Sequence, residues 1–355
     1  MRLFTKYQVL TAALAAAGVA VFLALDLPLP FLFGPMAACL VAALVGVRLQ
    51  GMGQLAIFAR AILGVAVGAA VSPELMRRLP AMMASLALIP LYILVIGTIG
   101  VFFFRRVCKL DPVTSYYAAM PGGLQDMVIF GEEAGGDVRA LSLIHATRVL
   151  IIVTLTPILL KGLYNVSLNN PIGAHASDLP RFELLLMTVA AFVGWKGGER
   201  IKLFGASIIG PLIVTAVFSL TGLVHNRPPA EAILTAQFLI GIGIGVYYVG
   251  ITLSDLRRYV LSAFAFVLIL ALLAAVFTQF VSMMGLANPV EAFLSFSPGG
   301  QAEMTILAIV SGADLGFVVT HHITRVVLVI TGAPFVAKLL GNRTKEKINE
   351  DRYSG

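Results

Sequence analysis

Ten stretches of roughly 15 to 30 mostly apolar residues, parted by short polar or basic segments, run through this chain and leave it few solvents to fold in, since one helical bilayer crossing takes about 20 such residues. Apolar residues make up 59% of the 355 and charged residues 12%, with mean hydropathy +0.95. A soluble domain carries about 25% charged residues. An ordinary soluble enzyme, a secreted disulfide scaffold and a disordered tail are therefore excluded. The expected fold is an all-α integral membrane protein whose surrounding partner is the lipid bilayer. The formal charge is +7. Its basic residues cluster between apolar runs, where they set topology, so no nucleic-acid partner is expected. Cys39 and Cys108 are too few for a disulfide framework or a cysteine metal site. The apolar run at 7–25 is longer than a signal-peptide core and reads as a retained first helix.

The chain reads as two copies. Pro121-Gly122-Gly123 recurs as Pro298-Gly299-Gly300, a shift of 177 positions (298 − 121). The same shift lays Met127 on Met304, Asp137 on Asp314, His145 on His322, Thr147 on Thr324 and Arg148 on Arg325. Asp126 falls on Glu303, which keeps a carboxylate at that place, and Gly64 and Gly68 fall on Gly241 and Gly245. Gly34-Pro35 matches Gly210-Pro211 at a shift of 176. An ordered series of this kind is the mark of gene duplication. The expected organisation is a first membrane repeat over 1–165, a polar linker over 166–180, a second repeat over 181–341 and a short charged tail over 342–355.

Each repeat should supply five crossings. They are expected near 7–25, 31–49, 54–72, 80–104 and 138–161, then near 181–195, 202–222, 230–252, 257–285 and 315–340. The segments 112–134 and 289–312 differ, because each carries Pro-Gly-Gly, which an uninterrupted helix disfavours. About eight residues flank each break, so each arm spans roughly 12 Å and reaches near the middle of a hydrocarbon core about 30 Å thick. A re-entrant, broken segment fits, and such backbone survives at that depth only when buried in protein or lining a wet cavity.

Five crossings per repeat would invert the two halves. With both termini in the cytoplasm, Arg48, Arg60, Arg105, Arg106, Lys109, Lys196, Arg200, Lys202, Arg257 and Arg258 all come out inside, with Arg77, Arg78, Lys161, Arg181 and Arg227 as exceptions. If both broken segments crossed fully, there would be twelve spans and parallel halves, with a poorer charge bias.

Ionisable groups within the membrane are functional candidates by default. Arg148 and Arg325 lie about ten residues into their helices, roughly 15 Å deep. His145 and Arg148 share a helix face, as do His322 and Arg325. The half-helices after the breaks begin at Leu124 and Gln301 with free N–H groups and a partial positive charge. Two helix starts and two arginines suit a small anion. The expected solute-binding set is Pro121, Gly122, Gly123, Gln125 and Arg148 with Pro298, Gly299, Gly300, Gln301 and Arg325; the expected proton carriers are Asp126, His145, Glu303 and His322. A plainer structural role competes for each residue. Arg148 could pair with Asp126 or Glu303, and the histidines could bond to carbonyls freed by the breaks. Asp137 and Asp314 read as helix N-caps, and the Gly64/Gly68 and Gly241/Gly245 pairs as close-packing positions. No Walker motif, nucleophile elbow or haem signature is present, so neither an enzyme nor a resident cofactor is expected.

The duplicated segments, from Pro121-Gly122-Gly123 through Arg148 and from Pro298-Gly299-Gly300 through Arg325, resemble the bacterial membrane AbrB family over nearly the whole chain. The resemblance implies a duplicated membrane domain in the bacterial inner membrane. Members carry labels such as ammonia monooxygenase or AbrB regulator and are linked to gene regulation. Nothing resembles the small soluble DNA-binding regulator of similar name, and no copper or iron ligand cluster supports the monooxygenase label. The expected function is secondary transport of a small anionic solute by alternating access, with proton coupling. A membrane sensor acting on gene expression through a partner is the alternative. Homo-oligomerisation is left open.

Overall fold

The computed structural model describes residues 5–332 and Phe335, apart from Pro28, Asn169 and Phe204, and only the backbone of Gln125. The tail expected at 342–355, and the part of the last helix expected to run on to 340 apart from Phe335, lie outside the described residues. Among the described residues there are fourteen helices, one short 3-10 turn and no strand. Seven helices of the first copy are followed by seven of the second. They are α1 (Lys6–Ala24), α2 (Pro30–Leu44), α3 (Gln54–Ala69), α4 (Pro73–Val107), α5 (Pro112–Ala119), α6 (Leu124–Glu133) and α7 (Val138–Tyr164). Their counterparts are α8 (Arg181–Arg200), α9 (Ala206–Leu220), α10 (Ala230–Val246), α11 (Leu253–Met283), α12 (Pro289–Phe296), α13 (Gln301–Ser311) and α14 (Leu315–Gly332). All ten expected crossings are helices, with ends shifted by a few residues. Five of them, α1, α4, α7, α11 and α14, are both long and apolar enough to cross a bilayer.

Local chemistry explains the boundaries. Thr5 and Gln8 close a capping box on α1, and Thr252 and Asp255 close another on α11. Proline opens α2, α4, α5 and α12, where its missing N–H is harmless. The Asp137 carboxylate accepts from the Arg139 and Ala140 amides, and Asp314 accepts from Phe317 N–H at 3.1 Å. Both are the N-caps their sequence positions suggest.

Glycine decides how the helices pack. A Cβ on Gly18 would strike the Gly34 carbonyl, and one on Gly210 would strike that of Gly194. α1 therefore lies backbone to backbone on α2, and α8 on α9. Likewise a Cβ on Gly64 would meet Ile208 O of α9, and one on Gly241 would meet Leu32 O of α2. The close-packing reading of these glycines holds. It also shows that the copies interleave: α3 of the first copy packs on α9 of the second, and α10 on α2.

Two packing blocks result, and neither is a sequence half. One contains α1, α2, α3, α8, α9 and α10. The other contains α4 to α7 with α11 to α14. The two meet through α3 with α13 and α10 with α7, and they share one hydrophobic core.

Candidate functional site

Each Pro-Gly-Gly segment is a short extended bridge between two half-helices. Met120 leaves α5 with ψ 133°, and Ser297 leaves α12 with ψ 129°. This is the conformation a following proline imposes. Gly123 and Gly300 stay extended and cap the second half-helices. The glycines have a steric reason. A Cβ on Gly122 would press within 2.6 Å of the Met127 side chain, and the Met304 side chain crowds Gly299 in the same way.

The freed carbonyls are gripped by the two arginines. Arg148 donates from Nη1 to Met120 O at 2.9 Å and from Nη2 to Gly122 O at 2.6 Å. Arg325 donates to Ser297 O and Gly299 O, both at 2.9 Å. His145 Nε2 lies 3.1 Å from Tyr117 O, and His322 Nε2 lies 2.9 Å from Leu294 O. Every one of these contacts recurs at the 177-residue shift seen in the sequence (298 − 121). Each guanidinium thus stabilises the negative end of a broken helix, with bonds worth about 1.5–3 kcal/mol apiece. The plainer role expected for the histidines is therefore the one the geometry gives. For the arginines it is carbonyl capping rather than hydrogen bonding to Asp126 or Glu303.

The acids sit at the opposite ends of the breaks. Asp126 and Glu303 occupy the first turns of α6 and α13. Their carboxylates fold back so closely that a Cβ on Gly123 or on Gly300 would collide with them. Each helix start expected to receive a solute carboxylate already has one of its own.

The two breaks converge. Arg148 and Arg325 lie in each other's field, and both interact electrostatically with Tyr92. Glu303 reaches Arg148 electrostatically. Asp126 and Glu303 both feel the guanidinium of Arg60. Arg60 was assigned above to the cytoplasmic charge bias, yet it lies seven residues into α3, in the other packing block. It is the main functional candidate that sequence reading missed. The signal was available, for Arg60 has apolar neighbours on both sides within one run. Tyr92 was also missed. Its hydroxyl, on α4, donates to Phe296 O at 2.5 Å and so helps to hold the second break.

Several buried polar atoms of this cluster have no hydrogen-bond partner within the protein: Arg148 Nε, Arg325 Nε, Gln301 Nε2 and His145 Nδ1. The arginines are 2% and 3% exposed, so this interior has N–H donors to spare at Arg148, Arg325 and Gln301, while His145 Nδ1, whose ring donates through Nε2 to Tyr117 O, is a spare acceptor. The Gln125 side chain lies outside the described residues. Among the described residues, no group of three or more His, Cys, Asp or Glu could hold a metal ion. The two open clefts of about 650 and 490 Å³ lie elsewhere, around Lys196 and Arg200 and around Arg257 and Arg258.

Comparison with known proteins relates most of the chain to one family. The family model described as "Transition state regulatory protein AbrB" matches residues 31–341. The chain belongs to the AbrB family. The AbrB-family chain is 25% identical over 325 residues to a protein of Escherichia coli (strain K12) named "Putative regulator AbrB", covering 90% of this chain and 92% of that one. It is also 25% identical over 303 residues to the protein YhjN of Bacillus subtilis (strain 168), covering 81% and 78% respectively. The family resemblance read from the duplicated segments is thus confirmed, and the long apolar helices fit a multi-pass membrane protein.

Proposed function

We propose that this AbrB-family protein is a secondary transporter of a small anionic solute in the bacterial inner membrane. In this reading the chain makes ten crossings in two inverted halves with both termini cytoplasmic, which would set the breaks near the bilayer midplane. The observation that carries the reading is the convergence of both breaks on one buried cluster with unanswered N–H donors. Arg148 Nε, Arg325 Nε and Gln301 Nε2 supply acceptor-seeking groups, while Pro121, Gly122, Gly123, Pro298, Gly299 and Gly300 shape the wall. Three arginines face two carboxylates there, which favours negative charge in the solute.

Asp126 and Glu303 are the proposed proton carriers. Both lie across a block boundary from Arg60. A proton on either acid weakens its hold on that guanidinium and frees the boundary to shift. His145 and His322 keep their neutral, carbonyl-bound form in this scheme and orient the half-helices. No chemical step on the solute is involved.

The test is flux into vesicles bearing the purified protein, screened over small carboxylates and inorganic anions. Ligands are first found by thermal shift, since a bound solute stabilises the folded state. Asp126→Asn and Glu303→Gln should abolish proton-driven uptake while leaving solute binding measurable. Binding without any flux would reject transport and favour the second reading, a membrane sensor that acts on gene expression through a partner. The names of the family model and of the Escherichia coli relative are the observations favouring that reading.

A further inference from the structure

A π-turn lies at or near one end of each of two long helices, and each displays an arginine pair. Phe103–Val107 closes α4 with Arg105 and Arg106; Leu256–Val260 lies near the start of α11 with Arg257 and Arg258. These positions are not copies of one another. The duplication carries 103–107 to the uncharged 280–284 at a shift of 177, and Arg257-Arg258 matches Arg77-Arg78 at a shift of 180 (257 − 77); neither counterpart is a π-turn. Yet the folded chain brings the two turns to the same end of one helix pair. Phe104 and Phe266 meet edge to face with centroids 4.8 Å apart, and Phe103 stacks on Phe266 at 5.9 Å.

All four arginines and Lys109 are exposed. No ion pair engages any of them among the described residues, and the nearby Asp255 is already bonded to Arg139 and Thr252. Arg258 lies over the Tyr259 ring, 5.6 Å from its centroid. Large outward-facing apolar side chains border the cations: Phe102 is 64% exposed, Val107 63%, Leu253 72% and Leu261 59%. An open cleft of about 490 Å³ is lined by Leu253, Ser254, Arg257 and Arg258. Topology alone asks only for positive charge on this side. It does not ask for two unrelated π-turns, a feature frequent at functional sites, nor for a cleft between cations and apolar side chains.

We propose that this end of α4 and α11 binds the phosphate headgroup of an anionic phospholipid, its acyl chains lying against Phe102, Val107 and Leu261. Arginine suits the task because its planar fork can hold two phosphate oxygens at once. The inference rests on the membrane placement of these helices and not on transport.

The full-length protein is reconstituted in nanodiscs of phosphatidylcholine, with and without phosphatidylglycerol. Melting temperature and lipids retained in native mass spectrometry are then read. Phosphatidylglycerol should raise the melting temperature and remain bound, and high salt should remove the effect from the unmodified protein. Arg105→Gln/Arg106→Gln and Arg257→Gln/Arg258→Gln should each weaken retention roughly tenfold. The charge-matched Arg77→Gln/Lys161→Gln should not. Equal retention by all three variants overturns the proposal. So does an equal thermal shift from inorganic phosphate in phosphatidylcholine alone, which would show a free-anion site instead.

Discussion

Arg148 and Arg325 show how one side chain can make a broken helix tolerable inside a membrane. Each supplies two charged donors to buried carbonyls left without helix partners by the break. Lysine has the charge but not the fork. Arg325→Lys should therefore lose one of two charge-assisted bonds and destabilise the protein by about 2 kcal/mol, read as a lower melting temperature in detergent. Glycine at the second helix start has a different logic. Gly300→Ala places a methyl group where the Glu303 carboxylate lies. Its destabilisation should shrink in the Gly300→Ala/Glu303→Ala double variant, and the size of that coupling in thermal unfolding is the check. Outside the membrane, His175 accepts the influence of Glu231, 3.0 Å away. That hydrogen bond raises the His175 pKa above its ordinary value. The sign follows: the contact is at full strength below the ordinary histidine range and fades as pH rises through the raised pKa. NMR titration should show the elevated value, and Glu231→Gln should return it to normal.

At the level of elements, much of the molecule was legible in the sequence. Apolar runs marked the crossings, and Pro-Gly-Gly marked both breaks, because backbone preferences at proline and glycine are local. Asp137 and Asp314 were readable as caps for the same reason. Arg60 was not readable as a site residue, since its meaning depends on α3 lying against α13, a contact between residues some 240 positions apart (303 − 60 = 243). The carboxylates at the helix starts were also hidden. Sequence placed Asp126 and Glu303 in the first turn but could not say that they fold back on Gly123 and Gly300. Interleaving has its own consequence. Because α3 needs α9 and α10 needs α2, neither half should fold alone. Separately expressed 1–168 and 170–355 should be degraded, whereas co-expression should restore a complex detectable by pull-down. Stable accumulation of either fragment by itself would contradict the packing.

For the whole molecule, the number of crossings fixes which side each loop faces. In the proposed arrangement, five per half would send the linker between α7 and α8 to the side opposite both termini. In a Cys39→Ser/Cys108→Ser background, Ser177→Cys should react with a membrane-impermeant maleimide added outside intact cells. Reaction only after the membrane is opened would support the twelve-span arrangement. The arginine clamps bear on motion at this scale. Each bridge is fastened to α7 or α14, and Tyr92 fastens the second one to α4 as well. The bent segments must then travel with their own eight-helix body, as cargo bolted to a carriage. Under the proposed transport, exchange of exposure would arise from slippage along the seam where α3 and α10 touch that body. Spin labels across the seam should report variable separations, and pairs inside either body should report fixed ones.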